Sequence, residues 1–341
     1  MRVLRFSMGA AILSIVAWSI YVTVFLVQLG VPTTAEYWLH DAQVVKDYLL
    51  KTQTENKKVL IVGGSSVWFG IDAGELEKTL GVTSINLGLH AMLPLDRLIK
   101  QVGPALRRGD TVIMPLEYEY YTFDTPYTDW YVNQIMAEDA ASFWNLNGFE
   151  KVRFVIAVPP TRVLEGLLTK IFSDRLNMVR RRQSRQNPEE VVAIMRRNWK
   201  QNTMPEDAYS FQNIDSHGDA IMSRGSFGTD SHSLKGSLAQ SYPWNTLHAF
   251  AGYCVDRQVH LMIGWPPMVK GMIDFDSRRV KQNVQVIRQN LSQLGIPILG
   301  LPSEFQYDRR LFSDSAYHLT HEGRTLHTQH MLRLITAQAD S

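Results

Sequence analysis

From Phe6 to Gly30 the chain carries no charged side chain, and Ala, Ile, Leu, Val, Trp and Phe dominate the run. A helix rising ~1.5 Å per residue over such a stretch crosses the ~30 Å hydrocarbon layer of a bilayer with residues to spare. A cleavable leader would have a shorter apolar region ending in small residues of the A-x-A kind, and none follows here. Arg2 and Arg5 precede the run, while Glu36 and Asp41 come before the first downstream lysine. The positive-inside tendency therefore keeps residues 1–5 in the cytoplasm, makes 6–30 a single-pass signal anchor and sends the remainder across. The expected setting is the bacterial inner membrane, with the C-terminal part in the periplasm. No later segment is apolar for long enough to span again.

The whole chain, 341 residues with 45% hydrophobic content, supplies one large core or two modest ones. A formal charge of +2 lacks the concentrated basic surface that nucleic acid binding requires, so no nucleic acid partner is expected. Cys254 is the single cysteine, which excludes an internal disulfide framework and a Cys-cluster zinc site. A free cysteine of this kind reads as a small buried apolar residue.

Residues 31–56 read as a linker helix, with Tyr37, Leu39, Val44, Val45, Tyr48 and Leu49 as its apolar members. A folded domain follows over 57–341. Short apolar, β-branched runs at 58–62, 82–86, 111–116, 259–264 and 296–299 predict strands. Helices are predicted over 65–80, 94–106, 275–294 and 323–337. Strands alternating with helices at this pace imply βαβ units and a mostly parallel sheet, an α/β fold. Residues 162–244 break the alternation and read as an insertion, helical at first and loop-rich later. It carries a basic run at 180–185, which is most simply a solvated helix face. His217, His232 and His248 are scattered, and neither a metal nor a cofactor is called for.

Three places carry chemistry. Gly63-Gly64-Ser65-Ser66 ends the first strand, where a serine on a tight strand-to-helix turn lifts its hydroxyl above the sheet at the positive end of the next helix. A Gly-Ser turn that merely caps a helix would read the same way. Asn86-Leu87-Gly88 follows the second strand, and a glycine there lets backbone approach a ligand closely. Asp314 and His318 lie four apart just before the last helix, close enough for a carboxylate to orient an imidazole acting as general base.

In this order, serine after strand one, glycine after strand two and Asp/His before the last helix, the chain resembles the SGNH/GDSL hydrolase superfamily. Gly64-Ser65-Ser66 stands in place of the Gly-Asp-Ser block. The closing 317–324 segment is similar to the membrane-anchored branch that includes the alginate O-acetylation proteins and the D-alanine transfer protein of teichoic acid synthesis. The resemblance implies a three-layer α/β sandwich with a mostly parallel central sheet, preceded by one transmembrane helix. It implies Ser66 as nucleophile, Asp314 and His318 as its partners, and the N–H groups of Ser66 and Gly88 as oxyanion donors. The superfamily's asparagine after the third strand is missing. The chain there reads Leu116-Glu117-Tyr118, so Glu117 and Tyr118 are expected to line the site with Ser65 and Trp265.

Two functions remain open at this point. One is an O-acetyltransferase or acetylesterase working on an exported cell-surface polysaccharide, served by a multi-pass membrane acyltransferase or a polysaccharide synthesis complex. The other is a catalytically inactive scaffold subunit of an exopolysaccharide synthesis or export complex. Trp68, Tyr118, Tyr120, Tyr121, Tyr127, Trp130 and Trp265 form either a sugar-stacking platform or core.

Overall fold

A computed structural model of the chain describes residues 2–31, 37–53, 57–180, 187–225, 227, 234 and 238–339. In chain order the elements begin with α1 (Arg2–Gln28), α2 (Tyr37–Thr52), β1 (Val59–Ile61), α3 (Ser65–Gly70), α4 (Ala73–Leu80), β2 (Ser84–Asn86), α5 (Leu95–Val102) and β3 (Thr111–Pro115). Five helices follow: α6 (Asp129–Glu138), α7 (Ala140–Asn145), α8 (Gly148–Ala157), α9 (Pro160–Arg180) and α10 (Pro188–Gln201). The chain closes with α11 (Ser241–Arg257), β4 (His260–Gly264), β5 (Met268–Val269), α12 (Arg278–Gln293), β6 (Gln306–Tyr307) and α13 (His321–Ala339). Residues 181–185 of the basic run lie outside the described residues. So do His232 and most of the polar stretch after residue 225.

The chain divides into two compact units, Met1–His40 with Tyr127–Arg185, and Asp41–Pro126 with Gln186–Ser341. The helical segment expected to start at residue 162 thus belongs to a unit whose second stretch already begins at Tyr127.

The larger unit is α/β. β2, β1, β3 and β4 form a parallel sheet in that order, with Ile61 opposite Asn86 on one side and Ile113 on the other, and β5 pairs in parallel with β6 in a second sheet. Val59, Leu60 and Ile61 are all buried, as an inner strand covered on both faces requires. Lys58 and Asp110 fasten the strand starts: the ammonium lies 2.7 Å from the carboxylate, and both side chains are buried. Strand order reverses between β1 and β3. At such a reversal an open α/β sheet places its ligand site, beyond the carboxyl ends of the strands.

Three predicted elements come out differently. The helix expected over 65–80 is two, because Asp72 stops the first and caps α4 by accepting the Glu75 N–H at 2.9 Å. The strand expected over 296–299 reduces to one parallel bridge from Ile298 to Ile263, Pro297 having no N–H to extend a ladder. The helix expected from Phe275 starts at Arg278, where Ser277 accepts the Val280 N–H.

The smaller unit is helical. Its core joins Phe25 of α1 to Phe143 and Phe154, the rings meeting edge to face at 5.2 and 6.3 Å. Gly30 N–H donates to the Met136 carbonyl, and the Arg162 guanidinium donates to Gln28 Oε1 and the Val31 carbonyl, each at 3.0 Å. Within α1, Ser7–Gln28 is long and apolar enough to cross a membrane, with a mean hydropathy of 2.3.

Candidate active site

Ser65, Ser66, Gly88, Glu117, Tyr118, Trp265, Asp314 and His318 all lie in the α/β unit, and Ser66, Gly88 and Glu117 come together beyond the carboxyl ends of the strands. Ser65 and Ser66 open α3 directly beyond β1, and Glu117 follows β3. Glycine is required twice. A Cβ on Gly64 would collide with the Glu117 carboxylate and the Ala91 backbone, and one on Gly88 would collide with Trp68 N and Gly64 O. The serine turn and the loop after β2 therefore pack backbone against backbone.

Asp314 and His318 form the expected pair. Their loop is closed by Ser313 N–H donating to the His318 carbonyl at 2.9 Å, and His318 Nδ1 lies 2.8 Å from Asp314 Oδ1. That hydrogen bond places the imidazole proton on Nδ1 and leaves Nε2 as the acceptor. Tyr209, from the segment between α10 and α11, donates its hydroxyl to Asp314 Oδ2 at 2.6 Å and lies 3.1 Å from His318 Nδ1. Burial alone would raise the Asp314 carboxyl. The hydrogen bond and charge of His318, with the Tyr209 and Ser313 hydroxyls, outweigh it and hold the group down at about 2. The pair is thus built to keep an aspartate ionised beside a histidine.

The imidazole is carried to the serine helix by ring packing. Phe69, one turn after Ser66 in α3, lies 4.6 Å from the His318 ring, and Tyr209 packs edge-on against Phe69 at 5.7 Å. A second histidine, His90, sits just after Gly88. Burial first, and then the charge of His318, lower its pKa to about 4, so it is neutral at ordinary pH.

The serine itself is covered. Ser66 is 1% exposed, and its hydroxyl makes no hydrogen bond of good geometry. Its N–H donates to Glu117 Oε1 at 2.9 Å, and the Gly64 N–H donates to Oε2 at 3.1 Å. Gly88 N–H donates to Asn86 Oδ1 at 2.9 Å. Both amides expected to receive an oxyanion therefore already have acceptors. Burial raises the Glu117 carboxyl to about 6, against the lowering effect of the Ser66 amide and hydroxyl.

Tyr118 and Trp265 do not present a lining surface. Tyr118 is 1% and Trp265 0% exposed, their ring centroids are 6.2 Å apart, and the Trp265 indole donates to the Gly300 carbonyl at 3.2 Å. Trp68, Tyr120 and Tyr121 are likewise buried, which makes these aromatics core rather than a sugar platform. Tyr127 and Trp130 belong to the helical unit. Cys254 is buried and free. Among the described residues no group of three or more His, Cys, Asp or Glu converges to hold a metal ion.

Sequence reasoning did not find Tyr209, Phe69 or His90. Tyr209 is 105 positions from Asp314, in a stretch without periodicity, and nothing local marks it. Phe69 had a signal, its place one helical turn beyond the serine. No family model matches the chain, and no match is found among curated proteins.

Proposed function

We propose that the chain is a serine acyl-transfer enzyme, an O-acetyltransferase or acetylesterase, acting on an exported cell-surface polysaccharide at the outer side of a bacterial inner membrane. The reading rests on one observation: an Asp314–His318 pair whose imidazole packs against Phe69, three residues after Ser66 on α3. In this reading the α/β unit is a three-layer sandwich of the SGNH type, and residues 1–5 face the cytoplasm.

Ser66 Oγ attacks the carbonyl carbon of an acyl donor while its proton passes to His318 Nε2. The tetrahedral intermediate collapses, the acyl–oxygen bond breaks, and His318 returns the proton to the leaving alkoxide. The acyl group stays on Ser66 as an ester. A glycan hydroxyl or water then attacks it by the same steps, giving transfer or hydrolysis. Asp314 keeps the imidazole in the required tautomer and stabilises the imidazolium. Because Ser66 is 1% exposed and the Ser66 and Gly88 amides are engaged, substrate has to open the cover and compete with Glu117 and Asn86 for those donors.

The same two facts favour a second reading, an SGNH-like scaffold subunit without turnover. Acetyl ester hydrolysis by the full chain in detergent, and acetyl transfer to polysaccharide acceptors, separate the two. Turnover lost in Ser66→Ala supports the enzyme. A wild-type protein that turns over neither substrate supports the scaffold. Protease protection in intact spheroplasts tests the orientation, with digestion of the α/β unit from outside as the expected result.

A further inference from the structure

The helical unit exposes large apolar side chains on two of its helices, a pattern that is rare on soluble monomers and marks protein or membrane contact where it occurs. On α8, Phe149, Val152 and Ile156 share one face at i, i+3, i+7, and Phe149 and Ile156 are 71% and 66% exposed. On α9, Leu164, Leu168 and Ile171 repeat the pattern at i, i+4, i+7, and Ile171 is 60% exposed. The opposite faces are the unit's core, with Phe154, Val155, Val158 and Val163 buried around Phe25. α8 is therefore apolar on two sides, one turned to the core and one to the surroundings, while α9 turns its apolar residues outward and meets the core with Val163 and the buried Arg162.

What covers the outer side follows from where α1 enters. Its spanning stretch of 22 residues measures ~33 Å along the axis. The unit grips the end of that stretch: the Tyr21 hydroxyl donates to the Val158 carbonyl at 2.8 Å, Lys170 Nζ donates to the Val27 carbonyl at 2.6 Å, and Gly166 lies against Gln28. Tyr21 is ~10 Å along the axis from Gln28, so helices bonded to it sit at the depth where acyl chains meet headgroups. The rim has the corresponding chemistry. Lys151 lies 5.8 Å over the Trp144 ring, and Arg153 lies 5.9 Å over both Tyr127 and Phe149, basic tips on aromatic bodies as at a membrane interface.

We propose that α8 and α9 form a lipid-embedded platform around the outer end of the membrane helix, their exposed faces sunk into the acyl-chain boundary of the same leaflet. The platform holds the smaller unit in the membrane surface by its side as well as by its anchor. It does not depend on whether Ser66 is catalytic.

The test uses the full chain reconstituted in vesicles of phosphatidylcholine and phosphatidylglycerol. Nitroxide labels are placed through Ile156→Cys and Leu168→Cys, with Leu13→Cys as the bilayer reference and Val255→Cys, 74% exposed on the α/β unit, as the water reference. The native Cys254 is buried and does not compete for label. The platform labels are expected to relax with oxygen and to be shielded from a water-soluble nickel chelate, as the Leu13 label is. Nickel accessibility equal to the Val255 label overturns the proposal. Shielding of the platform labels from both reagents also overturns it, because that pattern means a protein surface, a second copy, covers the face.

Discussion

Asp314→Asn separates a working Asp–His pair from a merely structural one. Asp314 offers two carboxylate oxygens, one taken by His318 Nδ1 at 2.8 Å and the other by the Tyr209 hydroxyl at 2.6 Å. Asparagine has one carbonyl oxygen and one NH2. If the oxygen stays with Tyr209, the NH2 donates to His318 Nδ1 and moves the imidazole proton to Nε2, where it blocks the base. If the oxygen turns to His318, the imidazolium loses the negative charge that stabilises it. In a serine protease the equivalent change costs ~10⁴ in kcat, or ~5.5 kcal/mol of barrier. Loss of the charge alone corresponds to one charge-assisted hydrogen bond, ~1.5–3 kcal/mol, or roughly 10- to 150-fold. The expected drop in kcat/KM on an acetyl ester therefore lies between ~10- and ~10⁴-fold, with the fold intact because the amide keeps the shape. The readouts are ester turnover and the rate at which a fluorophosphonate labels the protein, with circular dichroism to confirm folding. Folded Asp314→Asn that labels and turns over as fast as wild type would refute the argument that the carboxylate sets the imidazole.

Tyr209→Phe removes one hydrogen bond to the charged Asp314 and is expected to lower kcat roughly 10-fold or more with little change in KM; a KM effect alone would make Tyr209 a substrate contact instead. Glu117→Gln tests the buried carboxylate through the slope of stability with pH. The folded pKa of Glu117 is raised to about 6, so its contribution is intact below the usual carboxylate range and is lost as pH rises through 6, ~2 kcal/mol in all. Thermal melts from pH 4 to 8 should show that loss in wild type and a flatter profile in the variant, while equal slopes would contradict the shift. Asp110→Ala leaves the Lys58 ammonium buried and strips acceptors from the Lys58 and Arg107 N–H groups. A loss of ~3–5 kcal/mol in denaturant unfolding is expected, and a change within 1 kcal/mol would mean that water reaches the pair.

What the sequence made legible were features with a local cause. The parallel strands show as β-branched runs stopped by Gly63-Gly64 or Pro266-Pro267, and the long apolar helix α1 shows as a run without charge. The Asp314–His318 spacing and the serine turn are local as well. The helices at 129–180 were only partly foreseen because their period is masked: with Phe154 facing the core and Ile156 facing outward, no polar stripe marks either side. Tyr209 was invisible because its partners are distant in sequence. Glu117 was visible as a carboxylate directly past the third strand. Its contact with the serine turn was not, since that depends on the parallel pairing of β1 with β3 and on how the two strand ends meet.

The most direct test of the acyl-transfer account is chemical capture of Ser66. Full-length protein is incubated with a fluorophosphonate, digested, and the modified peptide located by mass spectrometry. One adduct on Ser66, slow because the hydroxyl is covered, and absent from Ser66→Ala and His318→Ala, is the result expected. No adduct on folded wild-type protein at any pH, or an adduct that survives Ser66→Ala, contradicts it.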